Sequence, residues 1–523
     1  MFDPEYYVGA WRGEDGSWAT SKYTDSARIA GDQQVVWERR VFYIVPVPGE
    51  AEWAVPAQPP VGASDAAQGG GQGTDKRARE EPESSVETYT TTTTTTPGGV
   101  GVAAAANGVA SASPDSKKPR GRVDDQGLAP GGAGIAALVP SQRGGHVLLK
   151  VYGTQAHDIK LNEVLDCVCI LAIAPEATCF FGAEDAADGN GGADFMEEEE
   201  AHNPPQSAVP RLHAVLVARA QPTLLAGVAA DAVPTLRARC VQLLRAACCG
   251  DALAAEYMLL HLVSRVHARP DPFAVGALSI NLQLPRSDTD ETSSHTVTCI
   301  RTLLTALASR CVALDLTVDA LNAALLAPYK CYTTNRLVAG PLQLAGGTHI
   351  LLDETRLQPG QLGEVGVRNV EALRDVISCQ KVDVDFKYYA TPLPTDTPVL
   401  ILSRGSSLLP SDVAIPLRCT AAAGVPGADQ LTDAHLAPLR AYLAAAKHAA
   451  HTIGADVAAA VESDLVEARA VDTKLGQGDF HRWLTLARLV GLSNGESSMT
   501  TATWQRVREL EHAVAQRRRV LPH

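Results

Sequence analysis

The chain of 523 residues is short of the features by which membrane proteins, secreted proteins and most enzymes declare themselves. No apolar run reaches the ~18 residues that a membrane-spanning helix needs. The first ten residues, Met1 to Ala10, have neither a basic stretch nor an apolar one, so no secretory signal is read there. Aromatic residues make up only 5% of the chain, and mean hydropathy is −0.02. An excess of positive charge is also missing: 45 Lys and Arg face 59 Asp and Glu, for a net charge of −14. A folded surface of that sign repels phosphate backbones, which disfavours direct DNA binding. The 11 cysteines include no CxxC pair, and Cys167-x-Cys169 has no second pair placed to close a tetrahedral zinc site. They read as buried, reduced thiols of an intracellular protein, with no metal and no other cofactor expected. Hydrolase and metalloprotease readings are set aside, since no HExxH helix occurs and no GxSxG elbow is expected.

What is present is globular: 46% hydrophobic and 20% charged residues. Tyr6 to Trp11 and Val41 to Val45 are rich in aromatic and β-branched side chains and predict strands; the second stops at Pro46-Val47-Pro48-Gly49. Val147–Val151, Glu163–Ile173 and Arg211–Val217 predict more, so residues 1–53 and 146–220 are expected to form one split β-rich domain, a small OB-like barrel. Between them, residues 54–145 are Gly, Ala, Ser, Pro and Thr with few large apolar groups, and too little surface can be buried to offset chain entropy. Disorder is expected there and in an acidic insertion at 182–207.

Two basic clusters lie in the linker: Lys76, Arg77 and Arg79, then Lys117, Lys118, Arg120 and Arg122. They read either as solvated linker or as nuclear import signals, and import, with a nuclear location, is the reading preferred. From Ala232 the pattern turns to helices at Leu236–Cys248 and Leu253–His267. Strands then alternate with helices through Ser403, which predicts a parallel α/β sheet over 232–425. Residues 426–523 read as a helical C-terminal region.

The segment with most chemical promise is Ile350-Leu351-Leu352-Asp353-Glu354, a buried strand ending in two acids. At the carboxyl end of such a strand an aspartate can hold a nucleotide's magnesium and a glutamate can orient water. The same residues also read as a turn before Thr355. The usual companion, a glycine-rich loop ending in GK[ST], is absent from the whole sequence. The nearest segment runs from Gly250 and Asp251 to Glu256 and Tyr257, placing an acid where lysine belongs. At an effective dielectric near 20 and about 4 Å, each misplaced charge costs on the order of 4 kcal/mol. ATP turnover is therefore not expected.

Several stretches together resemble the MCM-binding protein family, partners of the minichromosome maintenance (MCM) replicative helicase. They are Met1-Phe2-Asp3-Pro4-Glu5-Tyr6-Tyr7, Phe42 to Glu50, Leu253 to Leu262, Tyr332 to Leu337, Leu352 to Thr355, Gln380 to Asp383 and Ser407 to Pro410, in order along nearly all of the ordered chain. Family members carry a further segment before Phe-Asp-Pro, which implies a truncated gene model or an internal start. The resemblance implies a degenerate AAA-like domain in which Gly250, Asp251, Glu256, Tyr257, Asp353, Glu354 and Arg404 mark a disabled nucleotide site. Arg404 stands near a sensor position, and Pro410 near that of an arginine finger. It implies no catalytic residues and MCM subunits as partners, with chromatin association only through them. The expected roles are MCM assembly or unloading during DNA replication, and sister chromatid cohesion. A residual AAA-type ATPase and a single-stranded nucleic-acid binder acting through the β-barrel are the alternatives.

Overall fold

The computed structural model describes residues 5–13, 16–23, 33–55, 146–172, 209–220, 228–270, 273–285, 290–332, 336–420, 424, 431–471 and 476–520. Apart from Ala54 and Val55, the linker expected over 54–145 lies outside these residues, and so does the acidic insertion at 182–207.

Strands β1 (Glu5–Arg12), β2 (Trp18–Thr20), β3 (Gln33–Ile44), β4 (Val147–Tyr152), β5 (Leu165–Leu171) and β6 (Arg211–Arg219) form one six-stranded sheet in the order β2-β1-β3-β4-β6-β5. Its centre joins segments far apart in sequence: β3 runs antiparallel to β4 from Arg39↔Tyr152 to Ile44↔Val147. Successive strand residues point to opposite faces, and both faces are buried here. Val41 and Leu148 pack with Val209 on one side, Phe42 and Leu149 with Val151 and Ala214 on the other. The expected barrel closure is not among the described pairings, because none joins β2 to β5.

Helices α1 (Val233–Ala247) and α2 (Ala252–Val263) precede the α/β part. It runs β7 (Ile280–Leu284), α3 (Asp290–Leu307), β8 (Cys311–Asp315), α4 (Val318–Ala323), β9 (Tyr329–Cys331), β10 (Arg336–Val338), β11 (His349–Asp353) and α5 (Glu364–Cys379). Then come β12 (Lys381–Asp385), β13 (Ala390–Pro394), β14 (Val399–Arg404) and β15 (Val413–Pro416). The chain ends in α6 (Asp433–His448), α7 (Ala455–Val471), α8 (Gln477–Asn494) and α9 (Thr501–Val520).

The main sheet has the order β15-β7-β14-β11-β8, with every neighbouring pair parallel. Burial on both faces accounts for the continuous apolar runs of β11 and β14. Leu351, Leu400 and Leu402 face a core shared with α1, α2, α3, α6, α8 and α9. Ile350, Leu352, Val399 and Ile401 face a second core closed by α4 and α5. The C-terminal helices thus pack on the same core as α1 and α2. A smaller sheet, β10-β9-β12-β13, is not foreseen by the alternation pattern: β9 and β10 have three residues each, β13 is mostly exposed, and β12 buries only Val382 and Val384.

Both edges of the main sheet are covered, as exposed edges must be if they are not to pair with other chains. At β15 the outward carbonyls of Ala414 and Pro416 accept hydrogen bonds from Arg518 (3.0 Å) and Arg517 (3.3 Å) of α9. At the start of β8 the chain leaving β3 straps across: Cys311 N–H donates to Gly49 O and Ala51 N–H to Ser309 O, both at 2.9 Å. Gly49 takes φ +69°, and a Cβ there would collide with the Cys311 carbonyl, so only glycine fits. Trp53 of the strap lies 4.2 Å below the Arg440 guanidinium of α6. Cys240, Cys248, Cys249, Cys299 and Cys311 are buried free thiols, whereas Cys419 is exposed. No single described helix is long and apolar enough to cross a membrane.

Candidate functional site

Asp353 ends β11 and Glu354 follows it, at the carboxyl edge where open α/β sheets bind ligands. Both acids are buried, and their contacts are to their own chain. Asp353 Oδ1 accepts from Thr355 N–H (2.9 Å) and Thr355 Oγ1 (2.6 Å), the turn that was the second reading of this segment. Arg301 of α3 places its guanidinium 3.8 Å from Asp353 Oδ2 and 2.5 Å from Asp315 Oδ1. Asp315 is the register partner of Asp353 on β8, so Arg301 sits between two neighbouring carboxylates. Glu354 Oε2 accepts from Leu408 N–H at 3.2 Å. Burial pushes its carboxyl up, and hydrogen bonds from Ser407, Leu408 and Leu409 oppose the rise without cancelling it. A polar cleft of about 550 Å³ opens just past β8 and β11, bordered by Thr317, Asp319, Asn322, Arg356 and Gln361; neither acid lines it.

The expected phosphate-loop segment requires correction. A phosphate loop leaves a strand and opens a helix, whereas Gly250 and Asp251 connect the two helices α1 and α2. Asp251 caps α2, accepting from Leu253 N–H (3.0 Å) and Ala254 N–H (3.2 Å). Arg418 N–H (3.0 Å) and the Arg517 guanidinium complete its shell. Burial raises its carboxyl, but the hydrogen bond from Arg517 leads a set of contacts that holds it below the ordinary value. Glu256 is paired with Arg237, which also donates to Ser493 Oγ at 3.1 Å. Tyr257 donates to Glu511 Oε1 at 3.1 Å, and Glu511 Oε2 accepts from Arg482 (2.8 Å) and Trp483 Nε1 (3.1 Å). These residues stitch α1, α2, α8 and α9 together and do not meet the acids of β11. The first strand-to-helix connection of the α/β part, from β7 to α3, contains no glycine.

A second correction concerns Gly491-Leu492-Ser493-Asn494-Gly495, which does match GxSxG. It ends helix α8, with Gly495 as a left-handed cap, rather than turning from strand to helix. Ser493 Oγ is buried and donates to Val490 O at 2.8 Å, so it is a packed hydroxyl and not a presented nucleophile. Among the described residues no group of three or more His, Cys, Asp or Glu could hold a metal ion. Lys76, Arg77, Arg79, Lys117, Lys118, Arg120 and Arg122 lie outside the described residues.

The family model described as "Mini-chromosome maintenance replisome factor" matches residues 1–518. The chain belongs to this family. A relative named mini-chromosome maintenance complex-binding protein in Arabidopsis thaliana is 34% identical over 98% of this chain and 85% of its own length. Relatives of the same name are 33% identical in Salmo salar and 30% in Homo sapiens, covering 98% of this chain and 85% and 86% of their own lengths. In this member of the replisome-factor family Arg404 ends β14, in register with Leu284 of β7. Asp412, two residues after Pro410, accepts at Oδ2 from Ser279 N–H (2.7 Å) and Ser279 Oγ (2.6 Å). It anchors the approach to β15. The residues that sequence reasoning missed are Arg301, Arg237, Glu511 and Arg517. Each lies on a helix where spacing marks a polar face but not its partner.

Proposed function

We propose that this chain is a non-enzymatic binding protein for MCM helicase subunits. The observation that carries the reading is Arg301 set between Asp315 and Asp353, with Thr355 closing a turn on the same carboxylate. The aspartate that would otherwise hold magnesium is satisfied internally, and no GK[ST] loop exists to bring a triphosphate. A parallel sheet with an acid pair at the carboxyl end of an interior strand supports an AAA-like, pseudo-ATPase framework, and the six-stranded sheet supports an OB-like N-terminal part. The name shared by the relatives, complex-binding protein, supports MCM subunits as the partners.

In this reading the AAA-like surface stands in for a neighbouring helicase subunit. Occupying that interface shifts assembly by mass action, without chemistry. The same exchange serves MCM assembly or unloading from chromatin during DNA replication and cell division, and through it sister chromatid cohesion. The basic clusters of the linker carry the protein into the nucleus. Affinity purification from dividing cells tests the reading: MCM subunits are expected to co-purify, and their absence overturns it.

A further inference from the structure

The hairpin of β12 and β13 ends in Phe386-Lys387-Tyr388-Tyr389, a tip that the parallel sheet does not need. Its strands pair from Lys381↔Pro394 to Asp385↔Ala390. The tip is held rigidly: Phe386 N–H donates to Tyr389 O (2.9 Å) and Tyr388 N–H to Phe386 O (2.8 Å). Lys387 takes a left-handed φ of 67°, with its N–H on Asp385 Oδ1 at 2.6 Å. Tyr332, which follows β9, donates its hydroxyl to Phe386 O at 2.7 Å, and Phe386 stacks on Tyr389 with ring centres 4.9 Å apart. Despite this ordering, Tyr388 is 80% exposed, Tyr389 62% and Tyr332 52%. Tyrosines fixed in place and left in water are the residue type that dominates protein interfaces, because little side-chain entropy remains to be lost on contact.

The mode of contact follows from the strand beside the tip. β13 is the outer strand of its sheet and carries Pro392 and Pro394, which cannot donate to an added strand. Strand addition is blocked there, and the rings themselves must make the contact. Charge narrows the partner. In a chain of net charge −14 the tip itself carries Lys387, whose ammonium lies 5.7 Å from the Tyr388 ring centre, and the nearest acid, Asp385, is already paired with Arg368.

We infer that the hairpin tip, Tyr388 and Tyr389 braced by Tyr332 and Phe386, is a docking knob that enters an apolar pocket bordered by carboxylates on an MCM subunit. This rests on the reading of the chain as an MCM-binding protein. It adds the surface that does the binding.

The test is the dissociation constant of the full chain for purified MCM complex. Replacing both Tyr388→Ala and Tyr389→Ala is expected to weaken binding at least about 30-fold, the equivalent of a hot spot of about 2 kcal/mol. Tyr388→Phe with Tyr389→Phe is expected to retain most of the affinity, and Lys387→Glu to weaken it chiefly at low salt. Val466→Ser, at a residue 68% exposed on α7, is expected to change nothing. If the parent chain binds and the double alanine variant binds within twofold of it, the inference is overturned while the wider reading stands. Failure of the parent chain to bind overturns the wider reading instead. A fluorescent oligo-dT bound by the parent and released by the double variant, with MCM affinity unchanged, assigns the tip to nucleic acid and also overturns the inference.

Discussion

Arg517 and Asp251, 266 positions apart in sequence, form a two-point ion pair in which Nη1 lies 2.5 Å from Oδ2 and Nη2 lies 2.9 Å from Oδ1. Asp251 is fully buried, and Arg517 also reaches the Pro416 carbonyl, so the last helix, the α1–α2 turn and the edge of the main sheet meet at one carboxylate. Removing one partner of such a pair leaves an uncompensated buried charge, which costs about 3–5 kcal/mol. Three backbone N–H groups stay on Asp251, so Arg517→Ala is expected to cost about 3 kcal/mol in urea unfolding. A loss under about 1 kcal/mol would remove Arg517 from this role.

The same pair has a pH signature. The folded Asp251 carboxyl lies below its unfolded value of about 3.9, so its stabilisation is complete above that pH and is lost as pH falls through the lower folded value. Arg517→Ala is expected to flatten the acid limb of the stability curve below about pH 4. An unchanged limb would contradict the assignment.

A second pH effect comes from a buried chain of donors on the N-terminal side of β11. Lys447 Nζ lies 3.2 Å from His349 Nε2, His349 Nδ1 lies 3.2 Å from His261 Nε2, and His261 Nδ1 lies 2.9 Å from Leu278 O. With both imidazoles neutral, every donor in this chain finds an acceptor. Burial lowers His261 to about 4 and His349 well below its ordinary value. The unfolded histidines take up protons near pH 6.5 and the folded ones do not, so stability is expected to fall as pH drops from about 6.5 toward 4. The slope is at most about 1.4 kcal/mol per pH unit for each histidine. Burial also brings Lys447 down to about 8, so stability is expected to rise again from pH 8 toward the unfolded lysine value near 10.4. Denaturant midpoints measured across both windows check the two signs.

Gly49→Ala is expected to loosen the strap at the edge of β8. The left-handed φ and the closeness of the Cys311 carbonyl both penalise a side chain, by about 1–3 kcal/mol in total. Amide exchange at Cys311 and Ala51, whose N–H groups bond across the strap, is expected to speed up while the centre of β14 stays protected. Unchanged protection at both amides would mean that the strap holds without the glycine.

How far the sequence could be read follows from which forces are local. Strands such as β11 and β14 and helices such as α5 are visible because burial imprints a period or a continuous apolar run on the chain. The acids Asp353 and Glu354 were placed correctly at a strand end because that depends on the five residues before them. The pairing of Asp353 was invisible: Arg301 comes from a helix about fifty positions earlier, and no spacing rule links it to Asp315 and Asp353. The sequence already placed helices on both sides of Gly250 and Asp251, and the fold agrees, with Asp251 capping the second; the reading of Gly250 to Tyr257 as a disabled phosphate loop rested on the resemblance. In the hairpin β12–β13 only Val382 and Val384 of β12 are buried, alternating with charged residues, and β13 is exposed, so no continuous apolar run marks it.

The central claim is that this family member binds MCM subunits without nucleotide chemistry, its Asp353 being held by its own Arg301. The measurement that tests it most directly is the affinity of the purified chain for purified MCM complex, in nucleotide-free buffer, for the parent and for Asp353→Ala. Equal affinities are predicted, with no ATP turnover by either protein. No binding by the parent, or ATP-dependent binding and turnover that vanish in Asp353→Ala, would contradict it.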